Sequence, residues 1–350
     1  MSSSTFGALL CSVILSFSTT LVNAGHYSLT QDYSGAKFFE GFNFSTIPDP
    51  TQGFVTYIDQ SAANSTGLAG MLTVNGSETG AVYLGVDSTT KLSTSGPGRN
   101  SHRAQTNQTW NHALVIADIS HTPGGICGTW PAFWMLGTSS EWPNAGEIDI
   151  IEGVNSQNFN AMTLHTNAGV EVQNNTNLFK GTLTTSDCNV ADPNQPTNQG
   201  CNIADSPNAD SFGKVFNANG GGVFATEWTS DFIKIWFFNR THIPANVLSS
   251  SPSPSSSWGT PNALFQPANN TIDSHFSDLQ LIFDTTMCGQ WAGQAWTTDA
   301  ECSKLAPTCD QYVAENPAAF KDAYWAINSL KVFQDQGAPA YGSGNGTQGR

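Results

Sequence analysis

The stretch "GEIDIIEG" (residues 146–153) puts three carboxylates, Glu147, Asp149 and Glu152, into six positions. Between them Ile148, Ile150 and Ile151 are β-branched and read as a strand rather than a helix. A strand sends alternate side chains to opposite faces, so Glu147 and Asp149 share one face while Ile148 and Ile150 share the other. Strict alternation would drop Glu152 into the apolar face, where a lone carboxylate is costly or forced neutral. A β-bulge adds one residue and shifts the alternation by one step. With the extra residue at Ile150 or Ile151, Glu152 rejoins the polar face and one isoleucine joins Ile148 in the core.

Such a row suits hydrolysis of a glycosidic bond, which needs one carboxylate as acid and another as base or nucleophile. After the bulge, Glu147 and Glu152 are about four strand rises apart, roughly 13 Å at Cα. Side chains leaning together on a concave sheet can narrow that to the ~5–5.5 Å of a retaining pair, and the ~6.5–9.5 Å of an inverting pair stays open. Asp149 can hold the nucleophile by a hydrogen bond, and its charge can help keep the acid protonated. On spacing alone, a solvated sheet face is the stronger reading and a Ca²⁺ site a third one.

Around this strand, short apolar and β-branched runs recur between Gly, Pro, Asn and Ser clusters, the pattern of an all-β sandwich. They include "ALVIADIS" (113–120), "AFWMLG" (132–137), "AMTLHT" (161–166), "FIKIWFF" (232–238), "LQLIFDT" (279–285) and "INSLKVFQ" (327–334). "SSSPSPSSSWGTP" (249–261) reads as a loop inserted between strands, and residues 308–325 as a short helical or turn-rich excursion. One domain over residues 25–335 is expected, with 336–350 a flexible tail.

Composition narrows the partners. A formal charge of −15 with 12 Lys and Arg argues against nucleic acid or any polyanion. Few charges beside abundant Asn, Ser, Thr and Gly suit a neutral, hydroxyl-rich ligand. Residues 1–24 carry no charged side chain and end in Val22-Asn23-Ala24, the pattern of a secretory signal peptide. No later run is long enough to span a bilayer, so a secreted monomer free of the membrane is expected. Six cysteines follow the leader, and three disulfides are expected, most simply Cys188–Cys201, Cys302–Cys309 and Cys127–Cys288. Eight Asn-x-Ser/Thr sequons, from Asn43 to Asn345, suggest a glycosylated surface. There is no G-x-S-x-G elbow, P-loop lysine or close His pair with ligand spacing, and the chemistry demands no cofactor. A structural Ca²⁺ has no clear ligand motif.

"EIDIIE" resembles the bulged E-x-D-x-x-E signature of glycoside hydrolase family 16, in the form of its laminarinase-type members. "GTWPAFWMLG" (128–137) followed by "EWPNAGEIDIIEG" (141–153) resembles that family's central segment. "TEWTSDFIKIWFFN" (226–239) resembles its E-W-T-x-D-x-I-x-x-[WY] strand pair, with Phe232 where Gly is usual. "LQLIFDTTMCGQWAG" (279–293) and "INSLKVFQ" occupy the places of its late cleft strand and closing strand. The resemblance covers most of residues 30–335 and points to the secreted fungal endo-1,3(4)-β-glucanases.

It implies a concanavalin-like β-jelly roll of two antiparallel sheets with a sugar cleft on the concave face. It also implies Glu147 as nucleophile, Glu152 as general acid/base and Asp149 as assisting acid. The substrate would be a laminarin-like or mixed-linkage β-glucan. Tryptophans stack on sugar rings, so Trp134, Trp142 and Trp291 are the expected cleft walls. His165 could hydrogen-bond the acid/base or a sugar hydroxyl, or be structural. Trp296 is a weaker candidate. For Trp130, Trp228, Trp236 and Trp325 a core position is at least as good a reading, and Trp110 and Trp258 have no assigned place. A transglycosylase using the same acids and a non-catalytic glucan-binding module are the competing readings.

Overall fold

The computed structural model describes residues 27–75 and 77–335; the expected signal peptide and tail lie outside them. Chain order gives β1 (Tyr27–Asp32), β2 (Phe42–Phe44), β3 (Val55–Tyr57), β4 (Ala69–Val74), β5 (Ser77–Gly85) and β6 (Arg99–Ser101). Then come β7 (Arg103–Thr106), β8 (Ala113–His121), β9 (Thr129–Gly137), β10 (Glu147–Glu152), β11 (Ala161–His165) and β12 (Thr182–Thr185). The last six are β13 (Cys201–Ala204), β14 (Gly222–Trp228), β15 (Ile233–Asn239), β16 (Ala263–Phe265), β17 (Leu279–Met287) and β18 (Tyr324–Asp335). Every run read as a strand in the sequence matches one of them, with Gly153, Thr166 and Phe232 falling just outside β10, β11 and β15.

Two large antiparallel sheets form the jelly roll. One runs β12-β13-β11-β10-β9-β17-β7-β2, and the other β16-β15-β14-β8-β18-β5-β4 with β1 on β18. The non-consecutive neighbours matter, because only long crossovers put β17 and β7 beside β9 and the acid strand. Between the sheets, apolar residues of both inner faces form one core. Phe133 of β9 stacks on Phe283 of β17 at 4.2 Å, and Phe283 meets Trp325 of β18 edge-on at 5.3 Å. Trp110 and Trp228 are buried in the same core. With its alternate side chains committed inward here, the first sheet presents the complementary set on its outer face, and the acids are among them.

The Ser/Pro insertion has a different role from lining the cleft. Its Trp258 is buried on the outer face of the second sheet, edge-on to Trp236 and Phe238 at 5.3 and 5.6 Å. The indole donates to Asn246 Oδ1 at 2.7 Å. The insertion thus covers apolar surface of the second sheet that would otherwise face water.

Cys188–Cys201 bonds as expected, but the other two pairings are Cys127–Cys302 and Cys288–Cys309. Closeness in sequence misleads here because the chain turns between the partners. Cys302 lies in a 3-10 turn (Cys302–Lys304) packed toward the approach to β9, whereas Cys309 opens the helix Cys309–Glu315 against the end of β17. Thr308 caps that helix, its hydroxyl accepting from the Gln311 N–H. These cysteines, Val313, Phe320 and Trp296 form a second apolar cluster, so Trp296 is a core residue rather than a cleft wall.

Candidate active site

The strand β10 lies between β9 and β11, and its register answers the parity question. Asp149 pairs with Trp134 and the next pair is Ile151 with Phe133, so Ile150 is the extra residue. Glu147, Asp149 and Glu152 stand opposite Leu136, Trp134 and Ala132, alternate residues of β9, and therefore share one face. Both Ile150 and Ile151 enter the core with Ile148, one more than expected. A bulge turns its two successive residues toward the same side, which is how the strand gains an apolar anchor where it gains an acid. Ahead of the strand, Gly146 has φ +79, and a Cβ there would meet the His275 carbonyl oxygen at 2.5 Å. Its carbonyl accepts from the Gly137 N–H at 2.9 Å, which starts the β9–β10 pairing.

Each acid has its own partner. The indole Nε1 of Trp142 donates to Glu147 Oε2 at 2.7 Å. Nε1 of Trp130 donates to Glu152 Oε1 at 2.8 Å. His165 pairs across the ladder with Glu147, and its Nε2 lies 3.1 Å from Asp149 Oδ2. The histidine therefore engages the middle acid, not Glu152. Trp142 is 41 % exposed and forms the rim; Trp134 is buried in the floor. Trp291 sits half-buried on a π-helical turn (Gly289–Gly293), edge-on to Trp130 at 5.6 Å.

The floor continues onto β17 and β7. Arg103 bonds Asp284 at 3.1 Å, and its guanidinium lies 4.8 Å over the Trp134 ring. Tyr57 donates to Asp49 at 3.1 Å and contacts the Thr286 hydroxyl, extending this polar network. Arg103 thus anchors an ion pair and a cation–π contact in the floor of the acid row.

Burial governs the protonation of these groups. Glu147 is pushed up to about 8 by desolvation and then by the charge on Asp149, while His165, the Trp142 indole and Arg103 act against the shift. Asp149 is likewise pushed up to about 8 by burial. Desolvation and then the Asp149 charge hold Glu152 well above the usual range. Asp284 is pushed up to about 7 by burial, with Arg103 opposing. Three crowded carboxyls cannot all ionise near neutrality, so the row keeps protons. Oxygens of Glu147 and Asp149 and a nitrogen of His165 lie within 4.8 Å of one another, a spacing a metal ion could also span.

An XgeA-like catalytic GH16 domain model matches residues 42–333. The chain belongs to glycoside hydrolase family 16. Among family 16 relatives, it is 47 % identical over 313 residues to an endo-1,3(4)-β-glucanase of Arthroderma benhamiae, covering 89 % of this chain and 66 % of that protein. It spans about half the length of the relatives from Aspergillus clavatus, Neosartorya fischeri and Aspergillus flavus. Laminarinase 16A from Phanerochaete chrysosporium is 40 % identical with a TM-score of 0.79, covering 88 % of this chain and 99 % of that one. That structure holds two β-glucans, 6-O-glucosyl-laminaritriose, in donor and acceptor sites. An elongating family 16 β-1,3-glucosyltransferase is 41 % identical with a TM-score of 0.78, covering 88 % and 100 % of the two chains.

Several site residues escaped the sequence reading. Trp130 had a signal, since it lies four positions from Trp134 on one strand and so shares its face. Arg103 and Asp284 had none, because β7 and β17 meet only through the crossovers. Asn155 is buried behind the acid strand, accepting from the Gly128 N–H and donating to the Ala292 carbonyl, each within 2.9 Å. It ties the loop after β10 to the turn that carries Trp291.

Proposed function

We propose that this protein is a secreted, retaining endo-β-1,3(4)-glucanase acting on laminarin-like and mixed-linkage β-glucans. The observation that carries the proposal is the Ile150 bulge, which returns Glu152 to the face of Glu147 and Asp149 with separate indole donors on the two glutamates. Glu147, opposed in its upward shift by His165, Trp142 and Arg103, is the acid best supported to ionise and attack the anomeric carbon. Glu152, strongly desolvated, gives its proton to the leaving oxygen, then takes one from the water that releases the sugar. Asp149 assists by keeping Glu152 protonated until the bond breaks. Trp134, Trp142, Trp291 and His165 are the proposed contacts for the glucan.

One sandwich domain over residues 25–335, a monomeric state and a glycosylated surface belong to the same proposal. The three disulfides support secretion, because such bonds persist in oxidising compartments. Among the described residues no helix is long and apolar enough to cross a membrane.

Reducing-sugar release from laminarin by the wild type and by Glu147→Gln tests the assignment. Activity in the wild type alone supports it; activity retained in the variant removes Glu147 as nucleophile. Similarity to an elongating glucosyltransferase favours a second reading, transfer of the glycosyl group to another sugar. The same acids serve both outcomes, so products made at high oligosaccharide concentration separate them: chains longer than the substrate indicate transfer.

A further inference from the structure

The bulge leaves a gap in the sheet that one buried side chain fills. The β10–β11 ladder pairs Glu147 with His165, Ile148 with Leu164 and Asp149 with Thr163, and ends there. Asn160, immediately before β11, continues the pairing with its side chain. Its Oδ1 accepts from the Glu152 N–H at 2.9 Å, and its Nδ2 donates to the Ile150 carbonyl at 2.7 Å. These partners fix the amide's orientation, since one is a donor and the other an acceptor. The residue is fully buried, and its own carbonyl accepts from the Asp205 N–H at 2.9 Å. The clamp is thereby anchored to the chain just beyond β13.

We infer that Asn160 is a positioning residue for the acid/base, setting the backbone of Glu152 so that its carboxyl reaches the leaving oxygen. The inference rests on the reading of Glu152 as acid/base. Glu152 ends its strand and is followed by Gly153, so the ladder alone holds it only from the β9 side. A small misplacement of a proton donor is enough to slow its transfer strongly. Asn160 touches no substrate in this scheme and acts only through Glu152.

The test compares two substrates. Cleaving a glucan needs a proton on the departing sugar oxygen, whereas dinitrophenyl β-laminaribioside releases dinitrophenolate, a good leaving group, without one. For Asn160→Ala we expect kcat/KM on laminarin about 100-fold down and kcat/KM on the dinitrophenyl substrate within about fivefold of wild type; kcat/KM is compared because kcat also contains release of the sugar by water, in which Glu152 acts as base on either substrate. Asn160→Asp keeps the shape and the bond to the Glu152 N–H but can donate to the Ile150 carbonyl only while protonated, so it should show the same selectivity with a loss that grows as pH rises; it carries the test if the alanine variant does not fold. Equal losses of kcat/KM on both substrates at matched folded fraction, or no loss, would overturn the inference. Glu152→Gln runs alongside. If it shows no dependence on leaving group, the acid/base reading fails, which is a separate outcome from an indifferent Asn160.

Discussion

Trp130 and Glu152 are joined by an indole-to-carboxyl hydrogen bond of 2.8 Å, from a strand that carries no acid to the acid that closes the bulge. The bond matters most once Glu152 has given up its proton, because a donor stabilises the charged form. Trp130→Phe keeps an aromatic ring against Trp291 and removes only the donor. A hydrogen bond to a charged group is worth about 1.5–3 kcal/mol, so kcat should fall roughly 10- to 150-fold. With the donor gone the carboxyl rises further, and the alkaline limb of kcat/KM should move to higher pH. A limb that stays in place or moves down would separate Trp130 from the acid.

Asp149 acts in the opposite sense. Its charge raises both glutamates, after burial itself. Asp149→Asn should let Glu152 lose its proton at lower pH, shifting the alkaline limb of kcat/KM downward while kcat falls. A limb that does not move would show that Asp149 is neutral in the free protein.

Much of this site was legible because its key feature is local. Parity on one strand called for a bulge with its extra residue at Ile150 or Ile151, and the register places it at Ile150. Long-range facts were not legible in the same way. Arg103 reaches the cleft floor through a crossover that no spacing in "RAQT" announces, and Cys302 bonds Cys127 across 175 positions rather than its neighbour Cys309. Tryptophans divide along the same line. Trp142 and Trp134 could be assigned from the acid strand's neighbours, whereas Trp258 depends on a surface that exists only once β14 and β15 have paired. Asn160 lay hidden because its work is done on backbone groups, which leave no mark on sequence pattern.

Buried acids also set the protein's response to pH. Glu147 and Asp149 at about 8, and Asp284 at about 7, bind protons in the folded state that the unfolded chain has released above about 4. Where the folded state binds more protons, stability falls as pH rises. Their contribution is complete below the unfolded values and is lost as pH climbs through 7 and 8. Asp32, Asp87 and Asp299, lowered by hydrogen bonds, add stability that disappears only below about 4. Thermal melts should therefore give a higher Tm near pH 5 than at pH 8, and Asp149→Asn should narrow the difference. A Tm that rises toward pH 8 would contradict this picture of the row.

The disulfides should differ in what they contribute. Cys127–Cys302 closes 175 positions and Cys188–Cys201 closes 13. In the chain-entropy account those loops correspond to roughly 5 and 3 kcal/mol. Paired Cys→Ala variants should lower the denaturation midpoint more for Cys127/Cys302 than for Cys188/Cys201 in chemical unfolding. The reverse order would mean that the 188–201 bridge does more than restrict the unfolded chain. Its place on β13, one strand in from the edge of the acid-bearing sheet, where Cys201 pairs with Leu164, makes that alternative concrete.

Trp258 offers the cleanest separation of stability from catalysis. It is buried against Trp236 and Phe238 on the outer face of the second sheet, on the far side of the core from the acids. Removing a buried tryptophan costs about 3–5 kcal/mol, and Trp258→Ala also leaves Asn246 Oδ1 without its 2.7 Å donor. The variant should unfold at clearly lower denaturant, yet its folded fraction should cleave laminarin with wild-type kcat and KM. A changed KM at full folding would mean that the Ser/Pro insertion reaches the glucan after all, and that it does more than cover the second sheet.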